Sequence, residues 1–171
     1  MRIAVGCDHV MVELKNRIAE YAASKGHVVQ DMGTLNGERT HYPIYGKRVA
    51  DSVASGQADR GILVCGSGLG ISISANKVAG IRAVVGNGID TVRYARQQLN
   101  ANVMGVGGMV TGWGVVQDMV DAFLETDYSE TEANKRWIEE IDGMVRDNGQ
   151  MGDVNIFSDL LQKWDRGEYN C

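Results

Sequence analysis

The chain has 171 residues, of which 22 are glycine and one is proline. With 44% hydrophobic and 23% charged residues it is too apolar for a disordered linker, and its glycines follow no collagen-like three-residue period. Seventeen Lys and Arg against 22 Asp and Glu give a net charge of −5, which argues against a general nucleic-acid binder. Small anionic ligands stay open, because backbone amides bind anions in acidic proteins too.

In chain order, short β-rich runs alternate with amphipathic helical patterns. The N-terminus MRIAVGCDH enters a strand at once, without a charged leader or a long apolar run, so no signal peptide is expected. Ile3–Val5 reads as the first strand, ending at Gly6. Leu14, Ile18, Tyr21 and Ala22 then recur at helical spacing before a stop at Gly26. Val28 and Val29 begin a second strand running into Asp31. The polar loop GTLNGERTHYP follows and holds the single proline. Ile62–Val64 is a third strand, apolar throughout and so expected to be buried on both faces. Ala83–Val85 and Val103–Val106 are the fourth and fifth, with a helical pattern through Val116, Met119, Val120, Phe123 and Leu124. Five strands separated by helices predict a Rossmann-like three-layer α/β/α sandwich with a five-stranded parallel sheet. That domain is expected over residues 1–128.

Residues 129–171 break the alternation and are expected to form a C-terminal helical arm. Ser129 and Glu132 make an S-x-x-E capping box before Trp137, Ile138, Ile141, Met144 and Val145. The polar stretch DNGQMGD interrupts, and Phe157, Leu160, Leu161 and Trp164 form one more apolar stripe. The arm either folds back on its own domain or lies on a partner subunit; the second is the expectation carried forward. No run of about 18 apolar residues suggests a membrane span. Cys7, Cys65 and Cys171 are odd in number and widely spaced, which fits a reducing cytoplasm better than a disulfide framework.

Ligands of an open parallel sheet bind outside the carboxyl ends of its strands. Two segments fall there: Gly6-Cys7-Asp8-His9 after the first strand, and Cys65-Gly66-Ser67-Gly68-Leu69-Gly70 after the third. The second offers a thiol, a hydroxyl and a glycine-rich backbone just before a helix expected to start near Gly70. Free N–H groups and the positive dipole end of that helix favour a thiolate, and equally an oxyanion on a bound carbonyl. A base beside an anion hole suits proton abstraction alpha to a carbonyl. The plainer alternative is a structural cysteine beside a glycine turn. GSGLG is neither the dinucleotide GxGxxG, which follows a first strand, nor a Walker loop. Asp8 and His9 either meet a sugar or phosphate, or simply end the strand and cap the next helix. His9, His27 and His41 show no metal-ligand spacing, and no cofactor is expected.

Together GCDH, ERTHYP, CGSGLGISISANKVAGIRA and NANVMGVGG resemble the ribose-5-phosphate isomerase B/galactose-6-phosphate isomerase family, over most of residues 1–145. The C-terminal portion, ending KWDRGEY, is similar to the longer B-type subunits of galactose-6-phosphate isomerases. The resemblance implies a metal-free aldose–ketose isomerase of sugar phosphates, with active sites between subunits. Carried over, Cys65 is the base that moves a proton between C2 and C1 through an enediolate. Ser67 stands where Thr is common and keeps the hydroxyl. Asp8 contacts the sugar, with His9 beside it near the ligand. Gly66, Gly68 and Gly70 form the anion-stabilising loop. Arg39 and Tyr42 come from the ERTHYP loop, and Arg136 matches the second of two arginines on the late helix.

Other positions depart from the family pattern. Gln98 stands where ribose-type members carry a ring-opening His, and Leu99 replaces the Asn after it. Met109 replaces an Arg, and Glu132 replaces the first late-helix Arg. In the family these groups are reached from the opposite subunit. The resemblance thus implies a base-bearing half-site completed by a related A-type subunit supplying His and Arg, acting on galactose 6-phosphate and tagatose 6-phosphate in the cytoplasm. The alternatives are a self-sufficient ribose-5-phosphate or allose-6-phosphate isomerase, opening the ring with a group such as His41, and a catalytically silent scaffold subunit.

Overall fold

A computed structural model of the chain describes residues 1–145 and 158–168. The polar break DNGQMGD, Phe157 and Cys171 lie outside the described residues, as do the side chains of Leu160 and Trp164. All five expected strands are present, each a residue or more longer than its apolar run: β1 (Arg2–Cys7), β2 (Val28–Asp31), β3 (Arg60–Cys65), β4 (Ala83–Gly86) and β5 (Val103–Gly107). Every pairing is parallel and the order is β2-β1-β3-β5-β4. The central strand β3 is buried along its whole length, as its unbroken apolar run predicts. Cys7 pairs with Val64, and Cys65 with Gly107, so β1, β3 and β5 end at a common edge. The chain leaves β1 in one direction and returns to β3 on its other side, which makes that edge a topological switch point.

Side-chain alternation sends two different surfaces outward from the sheet. On one face Ile3, Val5, Ile62, Val64, Met104 and Val106 meet α1 (Val12–Ser24), α4 (Ile89–Leu99) and α5 (Trp113–Glu125) through Ile18, Val92, Met119 and Phe123. On the other, Ala4, Leu63, Cys65 and Val103 meet α2 (Tyr42–Ala54) and α3 (Leu69–Ala75) through Ile44, Tyr45, Val49 and Ile71. This second face is built of small residues, because α2 and α3 lie very close to the strands and to each other. A Cβ at Gly61 would sit 2.6 Å from a Val49 methyl, and one at Gly46 would sit 2.7 Å from the Ile71 carbonyl oxygen. Many of the chain's glycines thus serve close packing rather than turns.

The tail keeps its helices but shifts the cap. Helix α6 (Glu132–Asp142) starts at Thr131, whose hydroxyl oxygen accepts from Asn134 N at 3.1 Å. The expected Ser129–Glu132 box does not form. Ser129 is tied instead to α4, its N–H donating to the Gln97 carbonyl at 2.9 Å, while its own carbonyl accepts from Asn134 Nδ2. The Arg82–Asp142 ion pair at 2.7 Å and an Asn134–Gln98 hydrogen bond hold α6 against α4. No residue of α6 is fully buried, and Trp137, Ile141 and Met144 are exposed. Helix α7 (Ser158–Asp165) rests Leu161 against the α2/α3 side of its own chain.

Gly46 and Gly114 make a paired test of close packing. Alanine normally stabilises a helix by about 0.5–1 kcal/mol over glycine. Gly114 in α5 has open space around an added Cβ, so Gly114→Ala should gain about that amount in urea denaturation. Gly46→Ala should instead lose about 1–3 kcal/mol, because backbone stands in the way.

Candidate active site

The two sequence-predicted segments converge at the shared strand edge. Cys65 is the last residue of β3, faces the α2/α3 side, and is 5% exposed. Gly68 follows in the left-handed region (φ 77°), and its N–H donates to Cys65 Sγ at 3.1 Å. A side chain at Gly68 would meet the Gly107 backbone, so only glycine turns the chain here without pushing β5 away. Helix α3 begins at Leu69, one residue earlier than expected, with Gly68 as its cap. Ser67 is exposed, and its hydroxyl oxygen accepts from Leu69 N at 3.3 Å. The loop after β5 seals the turn: Gly108 N donates to the Cys65 carbonyl and Met109 N to that of Gly66. Met109 lies against Gly66, and the Tyr42 ring lies over Gly70 from the start of α2.

After β1, Asp8 is buried and caps a short 3₁₀ turn (His9–Met11), its Oδ1 accepting from Val10 N at 3.1 Å. Burial holds its carboxyl above the ordinary aspartate range, against the opposing pull of that N–H. The capping alternative raised for Asp8 is therefore present in the structure. His9 Nδ1 lies 3.0 Å from the Thr40 carbonyl oxygen and 3.3 Å from Thr40 N. Arg39 is exposed in the same 32–41 loop, and His41 stands at the cap position of α2. A cleft of about 640 Å³ opens beside His9, lined also by Leu14, Arg17, Gly108, Thr111 and Trp113. The Arg17 guanidinium stacks 4.2 Å from the Trp113 ring centroid.

Arg136 is not brought to this group. It sits on α6, pairs with Glu140 at 3.0 Å and stacks on Trp137. Helix α6 touches the chain at Arg82, just before β4, and at Gln98, near the end of α4, while Ser129 ahead of it bonds Gln97. These mark the amino edge of the sheet. Strand β3 alone separates that edge from Cys65 by roughly 17 Å, at ~3.3 Å per residue. Gln98 belongs to the same distant cluster.

The two described cysteines differ sharply. Cys7 ends β1 one strand away from Cys65 but faces the α1/α5 core, fully buried. Burial pushes its thiol up to about 12, partly opposed by Lys15. Residues that sequence reasoning passed over include Thr40, which holds His9, and Lys15, which is fully buried within α1. The signal for Lys15 was its place on the Lys15–Ile18–Ala22 face, opposite an acidic Asp31 at the end of the next strand. Among the described residues, no group of three or more His, Cys, Asp or Glu is arranged to hold a metal.

The raised Cys7 value has a direct pH consequence. The folded state favours the neutral thiol, so this contribution to stability is complete below pH 9 and is lost as pH rises toward about 12. At about 1.4 kcal/mol per unit, up to ~3 kcal/mol should disappear by pH 11. Urea midpoints of the wild type should therefore fall further above pH 9 than those of Cys7→Ala.

Comparison with known proteins places this architecture. Residues 3–141 match the family model described as Ribose/Galactose Isomerase. The galactose-6-phosphate isomerase subunit LacB of Clostridium acetobutylicum is 49% identical over 170 residues, 99% of this chain and 98% of that protein. Ribose-5-phosphate isomerase B of Escherichia coli is 46% identical over 127 residues, covering 74% of this chain and 85% of that one. The solved ribose-5-phosphate isomerase B of Clostridium thermocellum superposes with a TM-score of 0.82 at 39% identity, over 84% of this chain and 97% of that one. A parallel sheet that brings a thiol and a glycine turn together at its switch point, matched over nearly its whole length, belongs to the ribose/galactose isomerase family of aldose–ketose sugar-phosphate isomerases.

Proposed function

We propose that the chain is the base-bearing subunit of a cytoplasmic galactose-6-phosphate isomerase, interconverting galactose 6-phosphate and tagatose 6-phosphate with a related A-type subunit. The observation that carries this reading is the similarity to the LacB subunit across 99% of the chain, C-terminal portion included, where the E. coli ribose-5-phosphate isomerase B match covers 74%.

In the opened sugar, Cys65 Sγ takes the proton from C2 and the C–H electrons pass into an enediolate. The same proton returns to C1, while a proton moves between the C2 and C1 oxygens, so aldose becomes ketose with no net change in atoms or electrons. The Gly68 N–H at 3.1 Å from Sγ supports this role by presenting positive charge to an anionic sulfur. Gly66, Gly70 and the start of α3 present further amides to the enediolate, with Gly68 making the turn that aims them. The exposed Ser67 hydroxyl hydrogen-bonds the intermediate, Asp8 holds a sugar hydroxyl, and His9, Arg39 and Tyr42 border the substrate.

Arg136 and Gln98 stand at the far edge of the sheet and serve a neighbouring subunit's site rather than their own. By the same logic, ring opening and most phosphate charge at Cys65 come from the A-type subunit. An exposed apolar rim beside the site, formed by Leu69, Ile73, Met109 and Val110, suits such a junction. The exposed Trp137 and Ile141 on α6, with Met144 just beyond its end, offer the arm a similar place on the partner. The arm's own-chain contacts through Asp142 and Leu161 orient it without burying those residues.

Two measurements test the reading. The purified chain should turn over galactose 6-phosphate barely or not at all, and adding the A-type subunit should restore activity; full activity of the chain alone would overturn the division of labour. In the assembled enzyme, Cys65→Ala should lower the rate by about 10²–10⁴-fold with assembly intact. Near-normal turnover would make the thiol structural.

A further inference from the structure

Lys15 is among the largest fully buried side chains of the described residues, and it is a cation in an otherwise apolar helix face beside Ile18 and Ala22. Its Nζ pairs with Asp31 Oδ2 at the end of β2 and donates to the Thr34 carbonyl at 3.2 Å. Both partners lie at the root of the 32–41 loop. The other Asp31 oxygen accepts from Gly33 N at 3.0 Å, and Thr34 N donates to the Cys7 carbonyl at the end of β1. Gly33 lies so tightly over this strand end that a Cβ there would stand 2.7 Å from Cys7 N and 3.0 Å from Lys15 Cδ. Onward, Thr34 Oγ1 donates to the Asn36 carbonyl, and Asn36 Oδ1 accepts from Glu38 N. The loop ends at Thr40, whose backbone brackets His9 Nδ1 and whose hydroxyl accepts from the buried Tyr45.

We propose that Lys15 is a positioning residue for His9: its ion pair with Asp31, made from a buried ammonium, clamps the root of the 32–41 loop to the end of β1, and the loop fixes the His9 ring through Thr40. Nδ1 faces both the Thr40 carbonyl and the Thr40 N–H, so the Thr40 backbone holds the ring orientation whichever of the two it bonds. Nε2, on the opposite ring edge, is then the atom that meets a ligand. The Lys15 ammonium is buried while the Asp31 side chain keeps 34% of its surface exposed, so it is the lysine charge that has no second place to go, and its need for a partner fixes one arrangement of the loop root. The kinetic part of this proposal rests on the reading that His9 borders the substrate.

The test follows the ring itself. The chain has three histidines, so ¹⁵N resonances of the His9 ring are resolvable in a histidine-labelled sample. In the wild type, assembled with its A-type subunit, His9 should show one dominant ring tautomer, held by Thr40. In Lys15→Met it should revert to the mixture of a free imidazole, and KM for the sugar phosphate should rise about tenfold with kcat little changed, as when ground-state and transition-state binding are lost together. If Lys15→Met alone folds poorly, Lys15→Met with Asp31→Asn removes both charges and keeps an acceptor for Gly33. Unchanged His9 resonances in the folded variant overturn the proposal, whatever happens to stability. Altered resonances with unchanged kinetics uphold the positioning role and instead overturn the reading of His9 as a substrate neighbour.

Discussion

The close approach of α2 and α3 to the central strands is the constraint on which the site depends. It is possible because the strand face beneath them carries Ala4, Gly6, Gly61 and Gly105, where larger residues would stand, between Leu63, Cys65 and Val103. Brought this near, α3 must start within three residues of the end of β3. The turn that achieves this passes through the left-handed Gly68 and points its N–H back at Cys65. The thiol's setting is thus a consequence of sheet packing. Interiors packed to crystal-like density transmit such constraints, so a methyl group at Gly46 would act on the site from beneath.

A second consequence is separation. Groups delivered at the carboxyl edge, from Asp8 to Gly70, share one end of the molecule, whereas Gln98, Asn134 and Arg136 share the other. No rearrangement of side chains spans a strand's length. Under the proposed function, a chemistry that uses both groups is a chemistry of two chains, each lending one edge to its neighbour. The net charge of −5 is compatible with the proposed arrangement, in which backbone amides and cations brought by the partner would meet the anionic substrate.

The fold was legible because its signals are local and repeated: five apolar runs, each separated by a helical period, leave few topologies. The glycine loop was legible for the same reason, as a strand end meeting a helix start. What escaped was settled by tertiary contact. Thr131 rather than Ser129 caps α6, because the Ser129 backbone is already bonded to α4, a partner 32 residues away in the chain. Lys15 was passed over because only the arrival of Asp31 and Thr34 across the fold gives its charge a buried home. Thr40 carried no signal of its own, since it meets His9 through backbone atoms that every residue possesses.

The central claim is that Cys65 and the glycine turn form one half of a site whose other half comes from a different subunit. A crystal structure of the assembled enzyme with a sugar-phosphate hydroxamate, a mimic of the enediolate, tests it most directly. The account predicts the hydroxamate within hydrogen-bonding distance of Cys65 Sγ and the amides of the glycine turn, with the phosphate met by cations of the A-type subunit. A ligand held wholly by one chain, or seated in the Arg17–Trp113 cleft away from Cys65, would contradict it.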